Sequence, residues 1–440
     1  MTELLRFAEK KFTIFALIFF AGILRCASLV IPSQSATNSA VPADTLSPLD
    51  PIMSKVQGVI YLISFLLILA RWKIALITAL RNKLLWAVVA LAVASTLWSE
   101  LPEVTFRRGV VIFQTTVFGL YLASRYSIKE QLRVAAWALA ISTVFSLLFT
   151  LALPGFAIEN GIHAGAWRGP LDHKNLLARL EVLSTLTLLL TVLSNSRHRF
   201  LLLAGSSLSV CLVALTTSQS ALLVLLALLI LFPLYKALRL STTLTIPLFI
   251  IIVIVAAGTG VWITENLEPL LTGLGRDPSL SGRTEIWGAV FDKLSERPWL
   301  GYGFGGFWSE GSSGAAYVTE VNHFNPGHGH SGFINLAADL GWLGILLFTL
   351  SFLSAYRRAV AWVRSGKTAD CLWPILFLTF LLLYNISESS LLEVNSIFWV
   401  LYVSVALSMQ WFVVIPEHLS DINYSNPSTD LSGVEGETPA

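Results

Sequence analysis

The chain has 440 residues, of which 55% are hydrophobic and only 13% are charged, and its net charge is +2. A mean hydropathy of +0.71 excludes an ordinary soluble domain, in which about 25% of residues are charged. The net charge by itself indicates no class of partner, and no nucleic-acid partner is expected. The composition predicts a polytopic membrane protein.

Repeated apolar runs predict an all-α fold with about twelve transmembrane helices, because a hydrocarbon core about 30 Å thick needs about 20 apolar residues per helix. The predicted spans are 12–31, 56–71, 84–98, 109–124, 134–153, 175–193, 199–216, 219–235, 244–264, 332–354, 371–387 and 391–414. Residues 72–83 are predicted either to extend the second span or to lie in the membrane interface.

The basic residues predict the orientation of these spans. Most Lys and Arg residues fall on the side that carries Arg6, Lys10 and Lys11, and the cytoplasmic side of a membrane protein is enriched in them. Both termini are therefore expected in the cytoplasm. The membrane domain is predicted over 1–415, with a large external loop at about 265–331, and the acidic tail 416–440 is predicted to be disordered.

The external loop carries one amphipathic segment. Ile286, Trp287, Val290, Phe291 and Leu294 follow helical spacing, which predicts a short helix over 284–297 that ends before Pro298. Such a helix is expected to lie along the membrane surface with Trp287 and Phe291 in the interface.

Four glycines follow this helix, at Gly301, Gly303, Gly305 and Gly306. They prevent regular structure and let the backbone approach either a ligand or a neighbouring helix closely.

Several cations are predicted on the external side. Arg283 offers a planar fork of donors that suits phosphate oxygens; the alternative is an interfacial anchor. Arg168 and Lys174 precede the sixth span on the same side and could complete a clamp for a diphosphate. Lys174 and Arg179 could instead extend to the interface from the start of that span. Arg108, before the fourth span, is a candidate for an anionic head group or a surface anchor.

His328 and His330 stand just before the tenth predicted span. Imidazole titrates near neutrality and is the commonest general base, so both are candidate catalytic residues; the alternative is a polar helix cap. Metal binding is a further alternative because His323 lies nearby, but two His at this spacing are a weak metal signature. No metal or cofactor is expected. Glu388, in the turn between the last two spans, is predicted to pair with one of the arginines.

The order of these motifs resembles a known family. A middle span is preceded by Trp167-Arg168-Gly169 and then by His173-Lys174-Asn175. A late external loop contains Gly282-Arg283-Thr284-Glu285-Ile286-Trp287, then Arg297-Pro298-Trp299-Leu300-Gly301-Tyr302-Gly303-Phe304-Gly305, and then His328-Gly329-His330. Over residues 80–400 the chain resembles the bacterial O-antigen ligase and polymerase superfamily, and most closely its exopolysaccharide-polymerase (ExoQ-like) branch.

The resemblance implies an inverting, metal-independent glycosyltransferase that acts at the outer leaflet on sugars carried by undecaprenyl diphosphate. It implies that Arg168 and Arg283 bind the diphosphate and that His330 is the base. The family pattern has Asn after that His, whereas this chain has Ser331, so His328 stays a second candidate.

These observations lead to a hypothesis of a glycan polymerase in the bacterial inner membrane that joins lipid-linked oligosaccharide repeat units in exopolysaccharide or O-antigen biosynthesis. The alternatives are an O-antigen ligase that transfers the glycan to a lipid A core or another acceptor, and a transporter or flippase of lipid-linked sugars. The expected partners are the undecaprenyl-diphosphate-linked oligosaccharide, a sugar acceptor and a chain-length regulator of the polysaccharide assembly system.

Overall fold

The computed structural model describes residues 2–30, 49–194, 197–239 and 283–409. Within these ranges the fold is all-helical, apart from one isolated bridge between Ile158 and Trp167. The helices are α1 Thr2–Phe20, α2 Asp50–Leu69, α3 Trp72–Ala79, α4 Lys83–Ala94, α5 Pro102–Arg125, α6 Ile128–Ala152, α7 Pro154–Ala157, α8 Lys174–Leu193, α9 Arg199–Leu215, α10 Gln219–Ala237, α11 Arg283–Glu296, α12 Ser313–Asn322, α13 Gly332–Ser365, α14 Trp373–Ser387 and α15 Ile397–Ser408.

Some predictions fall outside the described residues. These are the ninth span at 244–264, the first part of the external loop and the tail at 416–440.

The helices are those of a multi-pass membrane protein. In the described residues, six are long and apolar enough to cross a membrane, or up to eight if each of two bent pairs is one span. The predicted second span and the fourth to eighth spans each overlap one helix, which confirms helices at these positions. Of these helices, α2, α6, α8 and α10 are among the six. Local chemistry sets several starts: Ser127 and Glu130 form a reciprocal capping box at α6, and Asn82 accepts a hydrogen bond from the Leu85 N–H at α4.

Three elements differ from the predictions. The first span is interrupted, since α1 ends at Phe20 and the chain turns by 71° into residues 23–29. The predicted third span belongs to a pair, α3 and α4, that meets at 91°, so residues 72–83 do not simply extend α2. Helix α12 was not predicted, and its start is fixed by Ser312, whose Oγ accepts from the Gly314 N–H at 3.1 Å.

The last two helices form the centre of the bundle. Every residue of α15 from Ile397 to Leu407 is buried, and α14 is buried along most of its length. Gly119 on α5 lies so close to α15 that a Cβ there would stand 2.6 Å from Val403. Small residues permit this approach between membrane helices. By contrast, α2 leaves six large apolar side chains exposed, as a lipid-facing helix would.

Helix α13 is broken at Gly341, which has φ 63° and ψ −167°. The break frees backbone groups that the turn 298–303 satisfies. Tyr302 N donates to Ala338 O at 3.0 Å and Gly303 N donates to Asp339 O at 2.9 Å, while Trp342 N donates to Pro298 O at 2.8 Å. The glycine-rich motif therefore serves the close approach to a helix, because unpaired backbone groups within a membrane protein are costly.

We expect Gly341→Ala to lower the free energy of unfolding by about 1–3 kcal/mol or more, since alanine disfavours this backbone region and its Cβ would collide with the backbone of Trp299. The thermal midpoint of the detergent-solubilised protein measures the loss. Gly58→Ala is the matched control, because nothing lies within 4 Å of a Cβ at that helical position. Equal midpoints for the two variants would contradict the assigned role of Gly341.

Candidate functional site

Glu388 joins the ends of four helices at one side of the bundle. It caps α14, where its N–H donates to Tyr384 O at 3.0 Å, and its carbonyl oxygen accepts from Gly332 N at the start of α13 at 2.9 Å. Its carboxylate accepts from Asn175 Nδ2, near the start of α8, at 2.7 Å. Arg283, the first residue of α11, completes the junction.

The guanidinium of Arg283 lies 3.6 Å from the Glu388 carboxylate, measured between Nη2 and Oε1, and keeps 23% of its side chain exposed. This confirms the prediction that Glu388 pairs with an arginine. Burial raises the pKa of Glu388, and the charges of Arg283 and Arg179 and the Asn175 hydrogen bond oppose that rise. Arg283 is thus held by one acid while about a quarter of its side chain stays exposed.

Arg179 does not extend to the interface, so that interpretation is wrong. It is only 6% exposed, lies 4.2 Å from the centre of the Phe398 ring, and donates to Ser389 O at 3.0 Å and Glu393 at 3.2 Å. It fixes the turn that carries Glu388.

His328 and His330 form a compact pair whose ring centres are 4.1 Å apart. The backbone N–H of His330 donates to His328 Nδ1 at 3.1 Å. His330 has φ 47°, a left-handed conformation that a non-glycine residue adopts at a cost. Its Nδ1 is buried and makes no hydrogen bond to any described residue. Both side chains are half-buried.

The loop that carries the two histidines is held from three sides. Trp287 Nε1 donates to Gly329 O at 2.7 Å, and Gly329 N donates to Asn335 Oδ1 at 2.8 Å. Ser331 Oγ donates to Asn385 O at 3.2 Å. The predicted helix over 284–297 is confirmed as α11. Trp287 is half-buried and supports the histidine loop, and its placement in the membrane interface stays a prediction. Phe291 stays 43% exposed.

Both imidazoles are neutral at ordinary pH. Burial, followed by the charges of Arg283 and Arg179, lowers the pKa of His328 to about 4. Burial, followed by His328, Arg283 and His173, lowers the pKa of His330 to about 2. The positive charge of Arg283 acts on both rings and opposes their protonation. An imidazole here can therefore serve as a base only where an anionic group offsets that charge.

The other candidate cations have different hydrogen-bond partners. Arg168 is only 2% exposed, and its guanidinium donates to three backbone carbonyls, those of Phe156 at 2.9 Å, Asp172 at 3.2 Å and Ser28 at 3.3 Å. That geometry joins the loop before α8 to the segment after α1. It favours a structural role over contact with a diphosphate.

Lys174 and Arg108 occupy two further places. The backbone N–H of Lys174 donates to Glu159 Oε1 at 2.6 Å, and its ammonium lies 3.4 Å from the Thr217 hydroxyl. Arg108 donates to Gly305 O at 3.1 Å, so it supports the glycine-rich turn. The structure therefore brings Arg283, His328 and His330 together and assigns the other cations to neighbouring loops.

Residues 204–349 match the family described as O-antigen ligase. This third of the chain contains Arg283, His328 and His330 together with the break at Gly341. The chain is also 27% identical over 94 residues to the exopolysaccharide production protein ExoQ of Rhizobium meliloti (strain 1021), an alignment that covers 21% of this chain and 22% of that protein.

The predicted family resemblance is confirmed. The chain is similar to the O-antigen ligase and ExoQ-like proteins, and the matched segment includes the cluster of Arg283 and the two histidines. The alignment with ExoQ covers less than a quarter of the length of that protein. The resemblance therefore supports a proposal about activity but does not establish the activity of this chain.

Residues that sequence reasoning missed lie mainly in the helices that frame the cluster. Asn175 follows the His-Lys pair at the start of α8, and its position in that motif was its only sequence signal. Glu181 is fully buried within α8 and accepts from Thr143 Oγ1 at 2.8 Å. It lies within the predicted span 175–193, away from the motifs that the sequence marks.

The histidine pair predicts a pH-dependent stability. The pKa of His328 is lower in the folded protein than in the unfolded chain, so the unfolded chain takes up a proton first as the pH falls below 6.5. The free energy of unfolding therefore decreases between pH 6.5 and about pH 4. We expect thermal midpoints of wild type and His328→Asn to converge as the pH falls through this range, because the variant lacks that proton uptake. A constant difference in midpoint from pH 7.5 to pH 4.5 would contradict the assignment.

Proposed function

We propose that this protein is an outer-leaflet glycosyltransferase that joins oligosaccharide units carried on undecaprenyl diphosphate. The observation that supports this best is the meeting of an accessible guanidinium, Arg283, with two neutral imidazoles, His328 and His330, inside the segment that matches the O-antigen ligase family.

The chemistry requires two tasks. A hydroxyl oxygen of the acceptor sugar attacks the anomeric carbon of the donor, the bond from that carbon to the diphosphate oxygen breaks, and the configuration inverts. The lipid diphosphate leaves with the electron pair of the broken bond, and the hydroxyl proton passes to a base. Arg283 stabilises the charge that develops on the diphosphate, and a neutral imidazole accepts the proton.

His330 is the preferred base. The Nδ1 of His328 already accepts the His330 N–H, whereas His330 Nδ1 has no hydrogen-bond partner among the described residues. Its left-handed backbone is a form of strain that often accompanies functional positions. In this proposal His328 orients His330, and no metal ion or cofactor takes part.

Arg283 is the proposed contact to the diphosphate. Its fork is held by Glu388 on one side and keeps 23% of the side chain exposed. Lys174 and Arg108 are secondary candidates for the lipid diphosphate, and Arg168 is assigned to holding the loop before α8.

The wider setting belongs to the same proposal. We place the protein in the bacterial inner membrane with about twelve spans, both termini in the cytoplasm and the Arg283 cluster outside. The proposed substrates are the undecaprenyl-diphosphate-linked oligosaccharide and a sugar acceptor. A chain-length regulator stays a hypothesis that rests on the family resemblance alone.

The family match and the similarity to ExoQ favour different acceptors for the reaction. Similarity to the exopolysaccharide production protein ExoQ favours a polymerase, in which the acceptor is another lipid-linked repeat unit. The match to the family described as O-antigen ligase supports the alternative of a ligase, in which the acceptor is a lipid A core or another molecule. The same cations and base would serve either reaction.

We expect His330→Asn and Arg283→Ala to reduce polysaccharide output of a complemented deletion strain by about 100-fold or more, the usual scale for a lost base or charge stabiliser. Asparagine suits the left-handed conformation at position 330. Polymer yield and size, at equal membrane levels of protein, measure the effect.

Two matched controls isolate the chemistry. His323→Asn changes another left-handed histidine, φ 61°, and Arg297→Ala removes an arginine that pairs at the surface with Glu100 at 3.1 Å. Both should leave output within about twofold of wild type, as surface changes usually do. Full output from His330→Asn and Arg283→Ala would overturn the mechanism.

The deletion strain also separates the acceptors. We expect single lipid-linked repeat units to accumulate if the protein is a polymerase. Long lipid-linked chains that stay unattached would instead identify a ligase. Movement of a labelled lipid-linked sugar across liposomes by the purified protein, without lengthening, would contradict both and support a transporter.

A further inference from the structure

A second cluster of chemically active side chains lies in the loop before α8. Glu159, His163 and His173 each offer one ligand atom, and the three atoms all lie within 4.8 Å of one another. The two rings meet edge to face, with centres 5.8 Å apart. None of these side chains takes part in the proposed reaction.

The loop conformation is well defined by its own hydrogen bonds. Glu159 N donates to Ala166 O at 2.8 Å, Gly165 N donates to Glu159 O at 2.9 Å, and Ala166 N donates to His163 O at 3.0 Å. The bridge between Ile158 and Trp167 closes the base of the loop. This backbone holds Glu159 and His163 on one side of the start of α8, where His173 is the cap.

Each candidate ligand keeps an atom for a further partner. His173 uses Nδ1 to accept the Asn175 N–H at 3.2 Å, which leaves Nε2 as the second ring nitrogen. Such a hydrogen bond at one nitrogen is the usual way in which a metal-binding imidazole is oriented. Glu159 is buried and uses Oε1 for the Lys174 N–H at 2.6 Å, which leaves Oε2.

The donor set suits zinc. Two imidazole nitrogens and one carboxylate oxygen, with a fourth position for water, are a common Zn²⁺ environment, with bonds of about 2.0–2.2 Å. Ligand atoms around such an ion lie about 3.3 Å apart, so the present spacing has to close by about 1.5 Å at most. His163 is exposed, and rotation of its side chain can supply this movement.

We propose that Glu159, His163 and His173 form a binding site for a divalent transition metal, Zn²⁺, with an open fourth position. The ion would tie the loop 158–167 to the start of α8, which carries Asn175, the hydrogen-bond partner of Glu388. It would thereby stabilise the support of the Arg283 cluster without taking part in the transfer. This inference does not depend on the proposed glycosyltransferase activity.

The test uses the full chain in detergent, stripped with a chelator and then titrated with Zn²⁺ against a chromophoric chelator. We expect about one tightly bound ion per chain, with binding lost in Glu159→Gln and in His163→Ala. The glutamine keeps an oxygen for the Lys174 N–H, and His163 is exposed, so both variants should fold; size-exclusion profiles and metal-free thermal midpoints check this. Co²⁺ in place of Zn²⁺ should give tetrahedral visible absorption in the wild type and in neither Glu159→Gln nor His163→Ala.

The controls are His323→Asn and the double variant His328→Asn with His330→Asn. Retained binding in both supports the proposal. Loss of binding only in the double variant would place the metal at the His328–His330 pair and overturn it, as would equal binding in every variant or no binding by the wild type. Polysaccharide output is measured separately, so failure of this site leaves the proposed function open to its own test.

Discussion

The carboxylate and backbone of Glu388 hold the starts of three helices at the end of a fourth. Asn175 on α8 and Arg283 on α11 meet the side chain, and Gly332 on α13 meets the carbonyl oxygen. A buried carboxylate is costly unless it is paired and hydrogen-bonded, so this junction tolerates little displacement of any partner. The position of Arg283, and with it the electrostatics of the histidine pair, depends on this residue.

A second constraint is the break in α13 at Gly341. In a membrane protein the backbone groups that a break exposes need partners from the protein itself, and the turn 298–303 supplies them. The same turn ends α11, which carries Arg283 and Trp287. Helix α11 therefore connects the break to the histidine loop. The C-terminal end of α11 contacts the turn, and Trp287 of the same helix supports Gly329.

This arrangement suits transfer from a lipid diphosphate because the demands on the protein are small. The diphosphate is already a good leaving group, so charge stabilisation and one proton acceptor suffice. The burial that lowers the pKa of His328 and His330 keeps both neutral without a partner base. An anionic substrate would raise those pKa values toward the range in which a base works best, so binding of the donor would itself prepare the imidazole.

The sequence by itself determined the class of protein, most helix positions and the residues around which the candidate site is built. Apolar run length fixes where helices can cross a membrane, and helical spacing located α11. The motifs around Arg283 and His330 carried the family resemblance, and the pairing of Glu388 with an arginine followed from charge alone. Tertiary structure decided which cations face the histidines: Arg168, Lys174 and Arg283 look equivalent in sequence, but only packing directs the donors of Arg168 to backbone carbonyls. Tertiary structure also decided the bends after α1 and between α3 and α4, the contact of Trp287 with the histidine loop and the meeting of Glu159 with two histidines. Each of these depends on contacts between segments that are distant in the chain or on the packing around them. Hydrophobic periodicity contains no information about such contacts.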